Sequence, residues 1–334
     1  MRGMQLAQFN TIENAPLIEQ KLHLPEPGPG QLRIKVLTCG VCRTDLHTVE
    51  GDIHPPKMPI VPGHQVIGTV DILGEGMTNI KVGDRVGVPW LHRGCRQCKY
   101  CQRGEENLCQ QAQFTGYHVD GGFSEFMLAD ANYVLPIPDG MSTQEAAPLL
   151  CAGIIGYRSL QKADLNPGEI LGLFGFGASA HLTIQVALHW GCEVYVFTRS
   201  PSHRRHALKL GAKWVGGSDD SPPTFLDRAV IFAPSGAIVP LALEKIRPGG
   251  TLAINAIHMS PIPELDYRLI YGERTLRSVA NATFQDGADF LKIAAEIPIR
   301  STVNLYPLEM ANQALEDMKH SRINGEAVLI VHDE

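Results

Sequence analysis

E-I-L-G-L-F-G-F-G-A-S-A-H-L-T-I-Q-V-A-L-H-W-G-C-E-V-Y-V-F-T, residues 169–198, is the stretch on which the fold turns. Glu169–Phe174 is short and apolar and runs into glycine, which reads as a buried strand. Gly175-Phe176-Gly177-Ala178-Ser179-Ala180 forms a G-x-G-x-x-A turn, Ala180–Trp190 an apolar helix, and Glu193–Thr198 a second strand. A glycine pattern alone says little. Between a strand and a helix, it offers the close backbone approach and helix N-terminus that a dinucleotide pyrophosphate requires. The alternation continues: Ser202–Leu210 and Ala237–Ile246 read as helices, Arg228–Phe232, Thr251–Ala256 and Thr275–Val279 as strands, with a turn at Pro248-Gly249-Gly250. An α/β fold with a doubly wound parallel sheet follows, its ligand crevice at the carboxyl ends of the strands.

Upstream the pattern is different. Residues 1–150 are rich in Gly and Pro, and short β-branched runs (Gln31–Leu37, Ile60–Leu73, Asp84–Val88, Phe123–Leu128) are separated by turn clusters, which reads as a compact, irregular β domain. Inside it Cys95, Cys98, Cys101 and Cys109 give C-x2-C-x2-C-x7-C, a spacing that lets one loop wrap four thiolates tetrahedrally around zinc. Such a site has no open position and is structural, so the chemistry lies elsewhere. Downstream, Asp286–Ala295 and Glu309–Met318 read as closing helices and Ala327–Val331 as a last strand, a tail expected to return to the first domain.

A chain of 334 residues with 44% hydrophobic and 19% charged residues is long enough for two domains with substantial cores. Its net charge of −6 argues against a nucleic-acid or anionic-membrane surface, and the basic tract Arg199–Arg205 is too short to reverse that. The N-terminus carries no apolar signal region and no apolar run approaches a membrane span, so a cytoplasmic location is expected, with reduced cysteines available as ligands.

G-V-C-R-T-D-L-H (40–47), P-G-H (62–64), G-G-F-S-E-F (121–126), L-L-C-A-G (149–153) and G-F-G-A-S-A (175–180) stand in order with the four-cysteine loop. Over nearly its whole length the chain thereby resembles the zinc-dependent alcohol dehydrogenases of the medium-chain dehydrogenase/reductase superfamily, in the bacterial branch near the cinnamyl-alcohol-dehydrogenase-like enzymes. The resemblance implies a GroES-like β-rich catalytic domain at 1–152, a Rossmann domain at 153–281 and a return to the catalytic domain at 282–334. It implies reversible hydride transfer between an alcohol or carbonyl and NAD(P), two zinc ions per subunit, and a homodimer or homotetramer. The catalytic zinc ligands it assigns are Cys42, His64 and Cys151; two thiolates and one imidazole leave a fourth position open, and alcohol dehydrogenase is itself the standard example of that donor set. Asp45 is expected to fix the tautomer of a ligand imidazole. Arg43 resembles the family's pyrophosphate arginine. Thr44 is expected to hydrogen-bond the substrate oxygen and pass its proton through the nicotinamide ribose to His47. Cys39 and Cys192 read as buried fillers.

Three positions depart from the family pattern. Gln65 stands where Glu usually follows the ligand histidine, Phe284 where many relatives carry a basic residue, and Glu326 where some carry Arg. For the cofactor, Gly175, Phe176, Gly177, Ala178 and Ser179 form the pyrophosphate turn. The second strand ends in Thr198-Arg199-Ser200, with His203, Arg204 and Arg205 behind it and no carboxylate for the ribose hydroxyls, which favours NADP over NAD. Trp90 with Thr44, Leu91, Phe114 and Ile257 is expected to wall an apolar pocket for primary alcohols and aldehydes. The rival readings are a polyol or formaldehyde-type dehydrogenase on the same scaffold, and a catalytically silent zinc-binding regulatory protein.

Overall fold

Along Gln31–Val41 (β1) the apolar residues Leu32, Ile34 and Val36 recur every second position and are fully buried, which is the period of a strand with one face on a core. The strand ends at Cys42, and Arg43–Glu50 (α1) starts at once. Gln65–Leu73 (β2) pairs antiparallel with β1, as does Phe126–Asp130 (β3) along the first half of β1. The computed structural model describes every residue except Met77, Thr78, Pro298, Asn324 and Glu334. Its chain divides into two compact units, Met1–Cys151 with Asn281–Ala295 and Arg300–Glu334, and Ala152–Ala280 with Glu296–Ile299.

In the second unit Ile170–Phe174 (β4), Ala178–His189 (α2) and Glu193–Phe197 (β5) form the βαβ element, with β4 and β5 parallel. Pro201–Leu210 (α3) leads to Trp214–Gly216 (β6), and Leu226–Ile231 (β7), Ile246–Ile254 (β8) and Thr275–Ser278 (β9) complete the sheet. Its order is β6-β5-β4-β7-β8-β9, every pair parallel, so the order reverses between β4 and β7. Phe174 and Phe197, at matching positions of β4 and β5, stack 4.1 Å apart inside this core.

Pro248-Gly249-Gly250 is a correction to the turn expected from sequence. These residues lie within β8, where the register against β7 jumps from Leu226↔Ile246 to Arg228↔Thr251. The extra residues loop out as a bulge, which Gly249 permits with φ +75°. Elsewhere the elements shift by a few residues. Pro62-Gly63 delays β2 to Gln65, and the expected 309–318 helix begins as a 3-10 turn at Leu308 before Ala311–Lys319. The strand Trp214–Gly216 and the helix Ala152–Lys162 carried no sequence signal strong enough to be drawn.

Back in the first unit, Phe284–Glu296 (α4) starts with a capping box: Thr283 N–H donates to Asp286 and Asp286 N–H to the Thr283 hydroxyl. Glu326–Ile330 (β10) pairs antiparallel with the far end of β1, on the side away from β2. Residues from both ends of the sequence, from Met4 to Val331, share one apolar core here. Among the described residues no helix is long and apolar enough to cross a membrane.

Candidate functional site

Cys42 directly follows β1 and is the N-cap of α1. Its sulfur accepts the Thr44 N–H at 3.3 Å, while the Asp45 carboxylate accepts the Cys42 N–H at 3.0 Å. A thiolate at a helix N-terminus faces the positive end of the peptide dipoles. A hydrogen bond with Cys151 holds the Cys42 thiol well below its ordinary range, aided by the His64 charge and the Thr44 N–H and opposed by burial. In that pair Cys42 is the anion.

His64 comes from the turn before β2. Gly63 precedes it with φ +99°, and a Cβ there would lie 2.5 Å from the Phe123 ring, so only glycine allows the chain to deliver the imidazole at this angle. Asp45 Oδ1 accepts both the Gly63 N–H at 3.1 Å and His64 Nδ1–H at 2.9 Å, leaving Nε2 aimed at Cys42 Sγ, 3.2 Å away. Burial works against a charge on His64, yet the Asp45 carboxylate and Cys42 thiolate outweigh it and push His64 well above its ordinary value. Burial raises Asp45, and the His64 charge pulls it back.

Cys151, reached from a 3-10 turn at Ala147–Leu150, completes a group whose donor atoms all lie within 4.8 Å of one another. Two sulfurs of half-buried cysteines and the nitrogen of a buried imidazole form a donor set suited to a zinc-like divalent ion. The expected trio is therefore brought together from positions 42, 64 and 151.

The four-cysteine loop forms a second such group. Cys95 Sγ accepts the Cys98 N–H at 3.3 Å and Cys109 Sγ the Cys95 N–H at 3.4 Å, the backbone-to-sulfur bonds that stabilise thiolates in a metal knuckle. Backbone N–H groups of Gln97 and Cys98 lower Cys95 to about 6, whereas burial raises Cys101 to about 12. Cys39 and Cys192 are buried and free.

Around His64 lies an aromatic wall. Trp90 meets the imidazole edge-on at 4.9 Å and stacks on Phe114 at 5.0 Å, with Tyr117 at 5.9 Å. Thr44 is buried, Arg43 exposed, and His47 Nδ1 lies 2.7 Å from Asp52 Oδ2. Leu91 belongs to the cluster around the cysteine loop, and Ile257, in the second unit, is 66% exposed. In the second unit Gly175 takes φ +94°, and a Cβ there would meet the Ala233 backbone nitrogen at 2.9 Å, so both backbone and space call for glycine. Gly177 caps α2 with open space where its Cβ would stand, and Ala178 and Ser179 open the helix, the arrangement an anionic pyrophosphate needs. At the end of β5, Arg204 Nε donates to the Thr198 carbonyl at 2.8 Å, Arg199 is exposed, and the Ser200 hydroxyl caps α3 by accepting the His203 N–H.

Residues 28–139 match the family model described as alcohol dehydrogenase GroES-like domain, and residues 180–296 that described as zinc-binding dehydrogenase. A probable alcohol dehydrogenase AdhA of Mycobacterium tuberculosis is 45% identical over 337 residues, spanning 99% of this chain and 97% of that protein. The chain belongs to the zinc-dependent alcohol dehydrogenases of the medium-chain dehydrogenase/reductase superfamily. An alcohol dehydrogenase of Geobacillus stearothermophilus is 36% identical over 99% of this chain and its own full length. The solved structure of cinnamyl alcohol dehydrogenase SbCAD4 from Sorghum bicolor superposes with a TM-score of 0.88 at 28% identity, covering 98% of this chain and 97% of that one. The dehydrogenase is thus a zinc- and nicotinamide-dependent oxidoreductase acting on small-molecule alcohols and aldehydes.

Sequence reasoning missed two partners of this dehydrogenase's site, Asp52 and Asn281, and left two more residues there without a structural role. Asp52 sits on His47, and its only signal was the Gly51 that ends α1. Asn281 accepts the Trp90 indole N–H at 3.1 Å across 191 positions, which no spacing reveals. Gln65 and Glu326, visible in the sequence only as departures from the family pattern, are both buried, and their side-chain polar atoms find no hydrogen-bond partner among the described residues.

Proposed function

We propose that Cys42, His64 and Cys151 hold the catalytic zinc, that Cys95, Cys98, Cys101 and Cys109 hold a second, structural one, and that the enzyme reversibly oxidises primary alcohols with apolar chains using NADP in preference to NAD. The observation that carries this reading is the convergence of the three donors within 4.8 Å, with His64 Nδ1 already tied to Asp45. Zinc bound there supplies Lewis acidity toward an alcohol or carbonyl oxygen, and the dinucleotide supplies the hydride acceptor or donor.

The chain's own residues do the rest. Asp45 fixes the His64 tautomer so that the Nε2 lone pair is presented. Thr44, in the first turn of α1, hydrogen-bonds the substrate hydroxyl, and His47 accepts its proton on the way to solvent. Trp90 and Phe114 exclude water and favour an apolar chain or ring, which counts against a polyol, whose hydroxyls would meet no partner on that stacked face. The Gly175-Phe176-Gly177-Ala178-Ser179 turn, at the N-terminus of α2, binds the pyrophosphate. Thr198, Arg199, Ser200 and Arg204, with no carboxylate among them, accept a 2′-phosphate in place of bare ribose hydroxyls.

The free thiols support a reducing, cytoplasmic setting. The edge strand β9, with the exposed Tyr267 and Tyr271 in the same unit, supports pairing of two copies. Zinc-quantified protein assayed with straight-chain, aromatic and polyol substrates and both cofactors tests the reading. Two zinc ions per chain, aromatic or aliphatic turnover and a lower KM for NADP are expected; one zinc ion, or preference for polyols or NAD, overturns the corresponding part.

A further inference from the structure

Trp90 is half-buried, packed between the buried His64 and the half-buried Phe114 and Tyr117. Its one polar atom, Nε1, donates to Asn281 Oδ1 at 3.1 Å. Asn281 is the first residue of the chain as it re-enters the first unit, and its backbone is left-handed, with φ +53°. Asparagine tolerates that conformation better than other residues with a side chain, and here the conformation is kept while glycine, which would be freer, is not used.

The start of α4 sets the position of Asn281. Two residues beyond Asn281 the Thr283–Asp286 capping box fixes the first turn of that helix, and the Phe284 N–H donates to Glu106 Oε1 at 2.7 Å. Glu106 is buried within the four-cysteine segment, between Cys101 and Cys109, so α4 begins at a point anchored to that segment. Phe284 packs on the same cluster as the cysteines, which gives it an apolar role of its own.

We infer that Asn281 is a positioning residue for the known reaction: its amide oxygen latches the Trp90 indole against His64 and so sets the width of the substrate pocket. The inference rests on the reading that Trp90 walls that pocket. Without the latch the indole N–H seeks water and the ring turns off the His64 edge, which admits bulkier alcohols less selectively and leaves the donor groups of the metal site unchanged.

Asn281→Gly isolates the latch, because glycine adopts φ +53° without strain and only the acceptor is lost. The chain has three tryptophans, Trp90, Trp190 and Trp214, so the Trp90 signal is read as the difference from Trp90→Phe. With Asn281→Gly the accessibility of Trp90 to acrylamide rises, and the ratio of KM for benzyl alcohol to KM for ethanol changes by about five-fold, as expected for one lost hydrogen bond. The zinc content stays at the wild-type level. Asn281→Asp keeps an acceptor and restores the quenching. Unchanged quenching and KM ratio in Asn281→Gly, or an Asn281→Asp that behaves like glycine, overturns the inference. If quenching changes while neither Asn281→Gly nor Trp90→Phe alters any KM, the latch stands and the pocket reading falls.

Discussion

Asp45→Asn is the substitution that most directly probes how the metal site is held. The two carboxylate oxygens divide three donors: Oδ1 takes the Gly63 N–H and His64 Nδ1–H, and Oδ2 takes the Cys42 N–H at 3.0 Å. An asparagine in the same pose keeps Oδ1 for the first two and turns an NH2 group onto the Cys42 N–H, donor against donor. A flipped amide is worse, with its NH2 facing two donors. Losing one charge-assisted bond costs about 1.5–3 kcal/mol and stranding a buried N–H about 1–3 kcal/mol; allowing for overlap, roughly 3 kcal/mol is expected. For a unit of this size that lowers Tm by about 6–12 °C. Because the same carboxylate orients His64, affinity for the catalytic ion should fall about 10–100-fold.

Thermal unfolding and competition with a chelating dye measure the two effects separately. An Asp45→Asn protein that unfolds within a degree of wild type and releases zinc to the dye at the same concentration refutes the reasoning, since the carboxylate would then be neither supporting α1 nor fixing the imidazole.

Cys42→Ser should lose one zinc ion and all activity while keeping the other ion and its thermal stability; Cys101→Ser should show the converse, a single retained ion with activity surviving until the protein unfolds, and metal analysis with calorimetry distinguishes them. Arg199→Ala should raise KM for NADP about ten-fold through a lost charge-assisted contact and leave KM for NAD within two-fold, so equal effects on both cofactors would remove Arg199 from 2′-phosphate recognition. Burial depresses His92 and His181 from an ordinary 6.5 to about 4, and neither His92 Nδ1 nor His181 Nε2 has a partner among the described residues. Between pH 6.5 and 4 the unfolded chain binds protons at these sites that the folded chain refuses, so stability present above pH 6.5 is lost as pH falls, by roughly 3 kcal/mol per histidine. His181→Leu should therefore flatten the acid limb of a urea-unfolding pH series, and a slope identical to wild type counts against a neutral buried imidazole.

The second unit was legible in the chain because its information is local. A buried parallel strand must be a continuous apolar run, its glycine turn must sit at the next helix, and Ile170–Phe174, Gly175–Ala180 and Glu193–Phe197 carry those signals within thirty consecutive residues. The Pro248–Gly250 bulge misled for the same reason: locally, Pro-Gly-Gly is a turn, and only pairing with Leu226–Ile231 shows that the strand passes through it. The four-cysteine loop was legible by spacing alone. Cys42, His64 and Cys151 were not, since a cysteine before a helix, a histidine after a Pro-Gly turn and a cysteine in an apolar segment each have an ordinary explanation, and only the resemblance to a family grouped them. Sequence could not supply the contacts made by the return of the chain, Asn281 on Trp90 and Glu326 beside β1.

Glu326 shows why such residues matter to the chemistry. It precedes Ala327, which pairs with Val41, so its backbone stands next to Cys42 at the floor of the site. Gln65, one residue after His64, lays its side chain over Gly40, where a Cβ would meet it at 3.0 Å. Burial, reinforced by the Cys42 thiolate, pushes the Glu326 carboxyl well above the usual carboxylate range. With a divalent ion held as proposed, the Cys42 and Cys151 thiolates would match its charge and the Asp45 carboxylate would exceed it by one. A fourth buried anion would have to be compensated by a cation, and Gln65 is neutral. A protonated Glu326 removes that demand, and an amide at position 65 keeps the floor free of charge. With both side chains neutral, the Asp45 carboxylate is the fixed charge that acts on Cys42, His64 and Cys151.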